Sequence, residues 1–233
     1  MDAELLRSVE SGDRKALARA ISRVESGAAG PDGSVHGSPI LGITGPPGAG
    51  KSTLISSLIA LIRSRGQTVG VLAIDPSSPI TGGALLGDRI RMQDHAEDDG
   101  VFIRSMATRG HLGGLTASAG DVVSLMGRAG FDLLIVETVG VGQSEVEVMK
   151  VADRVVLVVG PSWGDQVQAD KAGVVEIADI YVVNKGDRAG ADEVVNALRE
   201  SAGSRGIEIH TTTATSGEGV PQLLETIDRL LGS

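Results

Sequence analysis

The octet GPPGAGKS, Gly45 to Ser52, stands between an apolar run, ILGIT (40–44), and a helical pattern over 51–65. A strand that turns at once into a helix through glycines restricts the chain to few architectures. The octet fits G-x-x-x-x-G-K-[ST] without a mismatch, and its place between strand and helix is the context in which that pattern cradles phosphate. Glycines let backbone N–H groups point inward at phosphate oxygens, beside the positive end of the helix. Gly45, Pro46, Pro47, Gly48, Ala49, Gly50, Lys51, Ser52 and Thr53 are therefore candidate nucleotide-binding residues. Lys51 is expected to reach the β- and γ-phosphates, and the Ser52 hydroxyl to ligate Mg²⁺.

The rest of the chain agrees with that opening. Apolar runs predict strands at 40–44, 69–74, 101–105, 132–137, 154–159, 179–184 and 207–212, with helical stretches at 51–65, 116–129, 192–203 and 219–231. Strands that alternate with helices, and are apolar throughout, predict an α/β fold. With the phosphate loop, the expected fold is that of a P-loop NTPase with a mostly parallel central sheet and helices on both faces. Two Phe, one Trp and one Tyr leave a core of Val, Ile, Leu and Ala. Before the first strand, residues 1–25 read as two short helices broken near Gly12, with Asp13 as an N-cap. Residues 26–38 read as a linker, and 39–233 as the P-loop domain.

Composition removes several function classes. A formal net charge of −9 argues against nucleic acid or an anionic membrane as partner. With no cysteine there is no disulfide, thiolate metal site or Cys nucleophile. No apolar run approaches a membrane span, and MDAELLRSVE lacks the features of a leader, so a cytoplasmic protein is expected. The four histidines, His36, His95, His111 and His210, show no ligand spacing.

Base identity is legible in NKGD, Asn184 to Asp187, after the run IYVV. An Asp carboxylate there accepts from the N1–H and 2-amino group of guanine. Adenine lacks both donors and would leave the carboxylate unpaired. The Lys185 stem can lie along the base. In TTTATSGEG, Thr213, Ala214 and Thr215 form a second base loop, with the Ala214 N–H placed to meet guanine O6. GTP and GDP with Mg²⁺ are the expected ligands.

Glu137 ends an apolar strand and is followed by T-V-G. Its carboxylate can hold Mg²⁺, and the Gly140 N–H can meet the γ-phosphate. DPSSPITGGALLGDRIRM (75–92) follows another strand and carries Asp75, Asp88, Arg89 and Arg91 on a glycine- and proline-rich loop. Both aspartates are candidate Mg²⁺ ligands, and the loop reads as a switch ordered by the γ-phosphate. Lys51, Asp75, Asp88 and Glu137 form the candidate catalytic set. Gln143 either orients water or faces solvent. Arg104 and Arg109 join Arg89 and Arg91 as possible electrostatic helpers, and no single residue stands out as the base.

GPPGAGKSTL, DPSSPITGGALLGDRIRM, RSMATRGHLGGL, FDLLIVETVGVGQSE and GDQVQADKAGVVEIADIYVVNKGD together resemble the MeaB/MMAA/ArgK family of SIMIBI-class P-loop GTPases, from about residue 8 onward. The resemblance implies a GTP-hydrolysing metallochaperone that gates adenosylcobalamin loading and protects or reactivates an acyl-CoA mutase of the methylmalonyl-, isobutyryl- or 2-hydroxyisobutyryl-CoA type. It implies slow turnover alone and faster turnover with the mutase, with the cognate adenosyltransferase as a further partner. By motif it puts switch I and Mg²⁺ positions on Asp75 and Asp88, and a third switch on GDQVQADKAG. There Asp165, Gln168 and Lys171 would relay the nucleotide state. A purely structural reading of that segment is helix capping by Asp165 and ordinary helix polarity. Trp163, the single tryptophan, is a core anchor or a partner contact. Members resembling this chain continue into a C-terminal helical arm that builds their dimer. This sequence ends at Ser233, so it reads as a short form with the oligomeric state open.

Three other readings stand beside this one. They are a nickel- or zinc-delivery GTPase of a related branch, a P-loop kinase acting on a small molecule, and a binding module that never hydrolyses GTP. The older reading of the family as an arginine-transport kinase finds no support in these residues.

Overall fold

The computed structural model describes residues 1–31, 37–75, 95, 97–107, 112–138, 140, 149–163 and 174–232. Among the described residues seven strands form one parallel sheet: β1 (Ile40–Thr44), β2 (Val69–Asp75), β3 (Val101–Ala107), β4 (Leu133–Thr138), β5 (Arg154–Val159), β6 (Ile180–Asn184) and β7 (Glu208–Thr212). Their order is β3-β2-β4-β1-β5-β6-β7. β1 lies between β4 and β5: the β1–β2 connection runs to one side of it, and the β4–β5 connection crosses it to the other. That is the switch point where open α/β sheets place ligands, beyond the carboxyl ends of the strands.

Every residue of β1, β4 and β6 is buried. This explains why these strands read as unbroken apolar runs rather than alternating ones. The sheet is covered on both faces. One face packs α1 (Ala3–Glu10), α2 (Arg14–Glu25), α4 (Leu112–Arg128) and α5 (Ala191–Ala202). The other packs α3 (Lys51–Ser64) and α6 (Val220–Leu231). The expected elements appear within a few residues of their predicted bounds. The largest difference is α4, which begins at Leu112 rather than 116; Gly113 and Gly114 hide its first turn because glycine weakens a helical pattern.

At the N-terminus, Gly12 adopts a left-handed φ of 85° between α1 and α2. Asp13 caps α2 by accepting from the N–H groups of Lys15 and Ala16. The helix pair shares the main core through Leu5, Val9, Leu17, Ile21 and Val24. Arg14 stacks 3.9 Å above the Phe131 ring, and Arg104 on β3 is ion-paired with Glu25. Arg104 is thus committed to α2, not to a nucleotide. The expected linker falls partly on residues outside the description. Among the described residues, no helix is long and apolar enough to cross a membrane.

Candidate functional site

The carboxyl ends of β1, β4, β6 and β7 bring the sequence-predicted residues to one edge of the sheet. The P-loop leaves β1 through Gly45, whose φ is 147°; a Cβ there would lie 1.9 Å from the Val158 carbonyl oxygen on β5. Only glycine lets the loop approach the neighbouring strand so closely. Gly50 closes the loop with a φ of 93° and caps α3 without a side-chain hydrogen bond. The first-turn N–H groups of α3 are therefore left to a ligand instead of a capping oxygen, an arrangement suited to phosphate.

Lys51 and Ser52 open α3 and are both buried. The Lys51 ammonium donates to the carbonyl oxygens of Gly45 and Pro46 at 2.7 and 3.1 Å, folding back over the loop it starts from. A buried ammonium beside a helix N-terminus makes this a strongly electropositive point. The Ser52 hydroxyl donates to Glu137 Oε1 at 2.9 Å, across 85 residues of sequence. Glu137 is 1% exposed near the end of β4. Next to it, Thr138 donates to the Thr44 hydroxyl, which donates to the Gly140 carbonyl oxygen, both at 3.0 Å. The Gly140 N–H meets the Gly45 carbonyl oxygen at 3.3 Å. Glu137 and Gly140 are thereby held against the P-loop.

Ser52 and Glu137 pass a test for Mg²⁺. They present a hydroxyl and a carboxylate, hard oxygens only, converging within hydrogen-bond distance in a buried place. The backbone of Asp75 closes β2 one residue beyond Ile74, which pairs with Thr138, so it reaches the same sheet edge. The side-chain role expected of Asp75 lies outside the described residues. So do Asp88, Arg89, Arg91, Gln143, Asp165, Gln168 and Lys171.

The base-reading half centres on Asn184, buried at the end of β6. Its amide donates to the Ala49 carbonyl oxygen at 2.9 Å, while its Oδ1 accepts from the Ala214 N–H and the Thr212 hydroxyl, each at 3.1 Å. The Ala214 N–H, expected to meet guanine O6, is directed at the Asn184 amide oxygen in this structure. The physical reason is local, since a buried amide oxygen beside an unpaired N–H closes that bond within the protein. Lys185 takes a φ of 61°, unusual for a residue with a side chain, and its ammonium donates to the Gly48 carbonyl oxygen at 2.6 Å. Asp187 stands exposed on the same turn. The base loop is closed by the Thr213 N–H on the Glu218 carbonyl oxygen at 2.9 Å, with Thr215 exposed.

A tie that sequence reasoning missed is Ser57. One turn into α3 beyond Thr53, its hydroxyl donates to the Ala214 carbonyl oxygen at 2.7 Å and approaches the Thr53 carbonyl oxygen at 3.2 Å. It joins the phosphate helix to the base loop. A serine on a helix carries no signal of a partner 157 residues away. Trp163, left between two roles, is 2% exposed and belongs to the core.

The chain matches the family model described as methylmalonyl-CoA mutase-associated GTPase MeaB over residues 12–232. It is 51% identical to a Pyrococcus horikoshii protein that carries a GTPase name, over 96% of this chain and 76% of that protein. It is 41% identical to the GTPase ArgK of Escherichia coli, over 79% of this chain and 59% of that protein. Among solved structures, one described as LAO/AO transport system kinase superposes with a TM-score of 0.74 at 29% identity, over 98% of this chain and 74% of the other.

Proposed function

The chain belongs to the MeaB family of methylmalonyl-CoA mutase-associated GTPases, and on that premise we propose that its GTP hydrolysis gates adenosylcobalamin loading of an acyl-CoA mutase. It is a GTP-hydrolysing P-loop protein of α/β fold. The observation that carries the site is the pair of ties at one sheet edge, Ser52 to Glu137 and Asn184 to both Ala49 and Ala214.

From these positions the residues divide the work. Gly45 to Thr53 wrap the phosphates with backbone N–H groups, and Lys51 balances charge that builds up as the γ-phosphoryl group leaves. Ser52 and Glu137 would hold Mg²⁺, which neutralises phosphate charge when bound. Asp187 reads the guanine edge, and the Lys185 stem covers the base. The buried hydrogen bonds of Asn184 hold both halves in register, so a nucleotide meets a site that needs little reorganisation. Switch residues Asp75 and Asp88, and the relay residues Asp165, Gln168 and Lys171, carry the nucleotide state to the mutase. Family membership supports this reading, in which the cognate adenosyltransferase is the donor of the cobalamin.

The test is loading of apo-mutase with adenosylcobalamin in the presence of this protein and either GTP, a non-hydrolysable analogue or GDP. Loading that differs with the nucleotide is expected. Equal loading under all three conditions overturns the gating role. Favouring a nickel or zinc carrier would take an organised donor cluster, and among the described residues no group of three or more His, Cys, Asp or Glu is placed to hold a metal ion.

A further inference from the structure

Resting on the reading that a mutase docks on this chain, we propose that a cavity beside the P-loop receives an acidic side chain of that partner. The cavity measures about 690 Å³. Pro46 and Pro47, on the outer turn of the P-loop, form one wall; Pro161 and Trp163, just past β5, form a second; Lys185 and Arg188 form a third. Lys51, Ser52, Glu137, Asp187 and Ala214 do not line it. The cavity shares the outer turn of the P-loop and Lys185 with the nucleotide site and extends from them to Pro161, Trp163 and Arg188.

Charge and hydrogen bonding specify the occupant. The wall holds two cations and, among its described residues, no carboxylate, in a chain of net charge −9. Lys185 is already engaged by the Gly48 carbonyl oxygen. Arg188 is exposed, and no hydrogen bond or ion pair holds its guanidinium among the described residues. The Trp163 indole N–H is buried and has no acceptor among the described residues. A buried donor without an acceptor is uncommon in a native protein, and an incoming acceptor would satisfy it. A guanidinium fork and an indole N–H are donors only, and together they suit a carboxylate. Proline rings and the indole accept the apolar stem of an Asp or Glu. A polyanion is repelled by the chain as a whole, whereas one carboxylate on a protein loop meets only the local positive wall.

The position gives docking a route to the nucleotide. Pro46 to Ala49 make up the outer turn of the P-loop, and the same turn is held by Lys185 at Gly48 and by Asn184 at Ala49. A carboxylate that draws Arg188 and Trp163 together bears on that turn directly.

Trp163 is the single tryptophan, so 5-fluorotryptophan labelling gives the chain one ¹⁹F resonance. The labelled protein is titrated with unlabelled methylmalonyl-CoA mutase from the same organism, and GTP turnover is followed in parallel. The wild type is expected to shift its resonance and accelerate. Arg188→Glu should weaken both responses by about 30-fold or more, the loss typical of a desolvated charge pair, and Arg188→Lys should restore most of the response. The free resonance of each variant checks that Trp163 keeps its environment. If Arg188→Glu shifts and accelerates like the wild type, the cavity is not the docking point, though the mutase reading stands. If the wild type itself neither shifts nor accelerates, the mutase reading falls and takes this assignment with it.

Discussion

The Asn184 amide donates to the Ala49 carbonyl oxygen at 2.9 Å, so one side chain at the end of β6 sets the distance between the phosphate loop and the guanine-reading turn. The same residue accepts from Ala214 N–H and Thr212 Oγ1. Asn184→Ala leaves these buried donors and the Ala49 carbonyl without their partner. At about 1–3 kcal/mol for each unsatisfied group, it should lower Tm by roughly 5 °C or more in a domain of this size. Thermal unfolding with and without GDP checks this, and an unchanged Tm would remove Asn184 from its central place.

Ser57→Ala is a milder cut at the same junction. Losing its bond to the Ala214 carbonyl oxygen loosens the base loop without touching the nucleotide. A net hydrogen bond of about 1 kcal/mol translates into roughly a fivefold loss in GDP affinity, recovered by Ser57→Thr. Fluorescent-GDP titration reads the difference.

Asp187→Asn should exchange one nucleobase for another. The amide oxygen can still accept from N1–H, but its NH₂ faces the 2-amino group of guanine, donor against donor. Xanthine carries a carbonyl at that position and suits the amide. GTP turnover at limiting concentration should fall by roughly 30- to 1000-fold while XTP turnover rises. A variant that keeps its GTP preference would locate guanine recognition elsewhere.

Glu137→Gln keeps the shape of the Ser52 contact and removes the charge. We expect turnover to fall by about 100-fold and half-saturation to need more Mg²⁺, while GDP binding in the absence of Mg²⁺ changes little. Equal losses with and without the metal would assign Glu137 a structural role only.

His210 on β7 introduces a pH dependence of stability. Burial, aided by nearby Arg229, holds its imidazole below the ordinary value of 6.5, and Glu208 opposes this only in part. The unfolded chain therefore binds the proton more readily than the folded one. The contribution to stability is complete above about pH 6.5 and is lost as pH falls from there through the folded-state value. Glu208, held low by Arg229, stays ionised across that window. His210→Gln should flatten the fall of Tm between pH 7 and 5, and a parallel curve in the variant would contradict the assignment.

Much of the fold was legible because buried parallel strands leave unbroken apolar runs, as in DLLIVE and RVVLVV, and because Gly12 and Asp13 punctuate the N-terminal helices. The phosphate half of the site was legible for a related reason: its chemistry depends on backbone conformation, and Gly45 and Gly50 announce it. What stayed hidden are ties between distant segments. The Ser57 bond to Ala214, the Arg104 ion pair with Glu25, and the use of Ala214 N–H by Asn184 depend on which side chains the sheet order brings together. Residue type alone does not reveal them. The cavity beside Pro46 was hidden likewise, because its walls come from three turns far apart in sequence.

The most direct measurement is steady-state GTP turnover by the purified protein, alone and with increasing amounts of a cobalamin-dependent acyl-CoA mutase from the same organism. The account predicts slow turnover alone and a saturable acceleration with the mutase. Turnover that is already at its maximum without the mutase, or that no such mutase changes despite tight GTP binding, would contradict it.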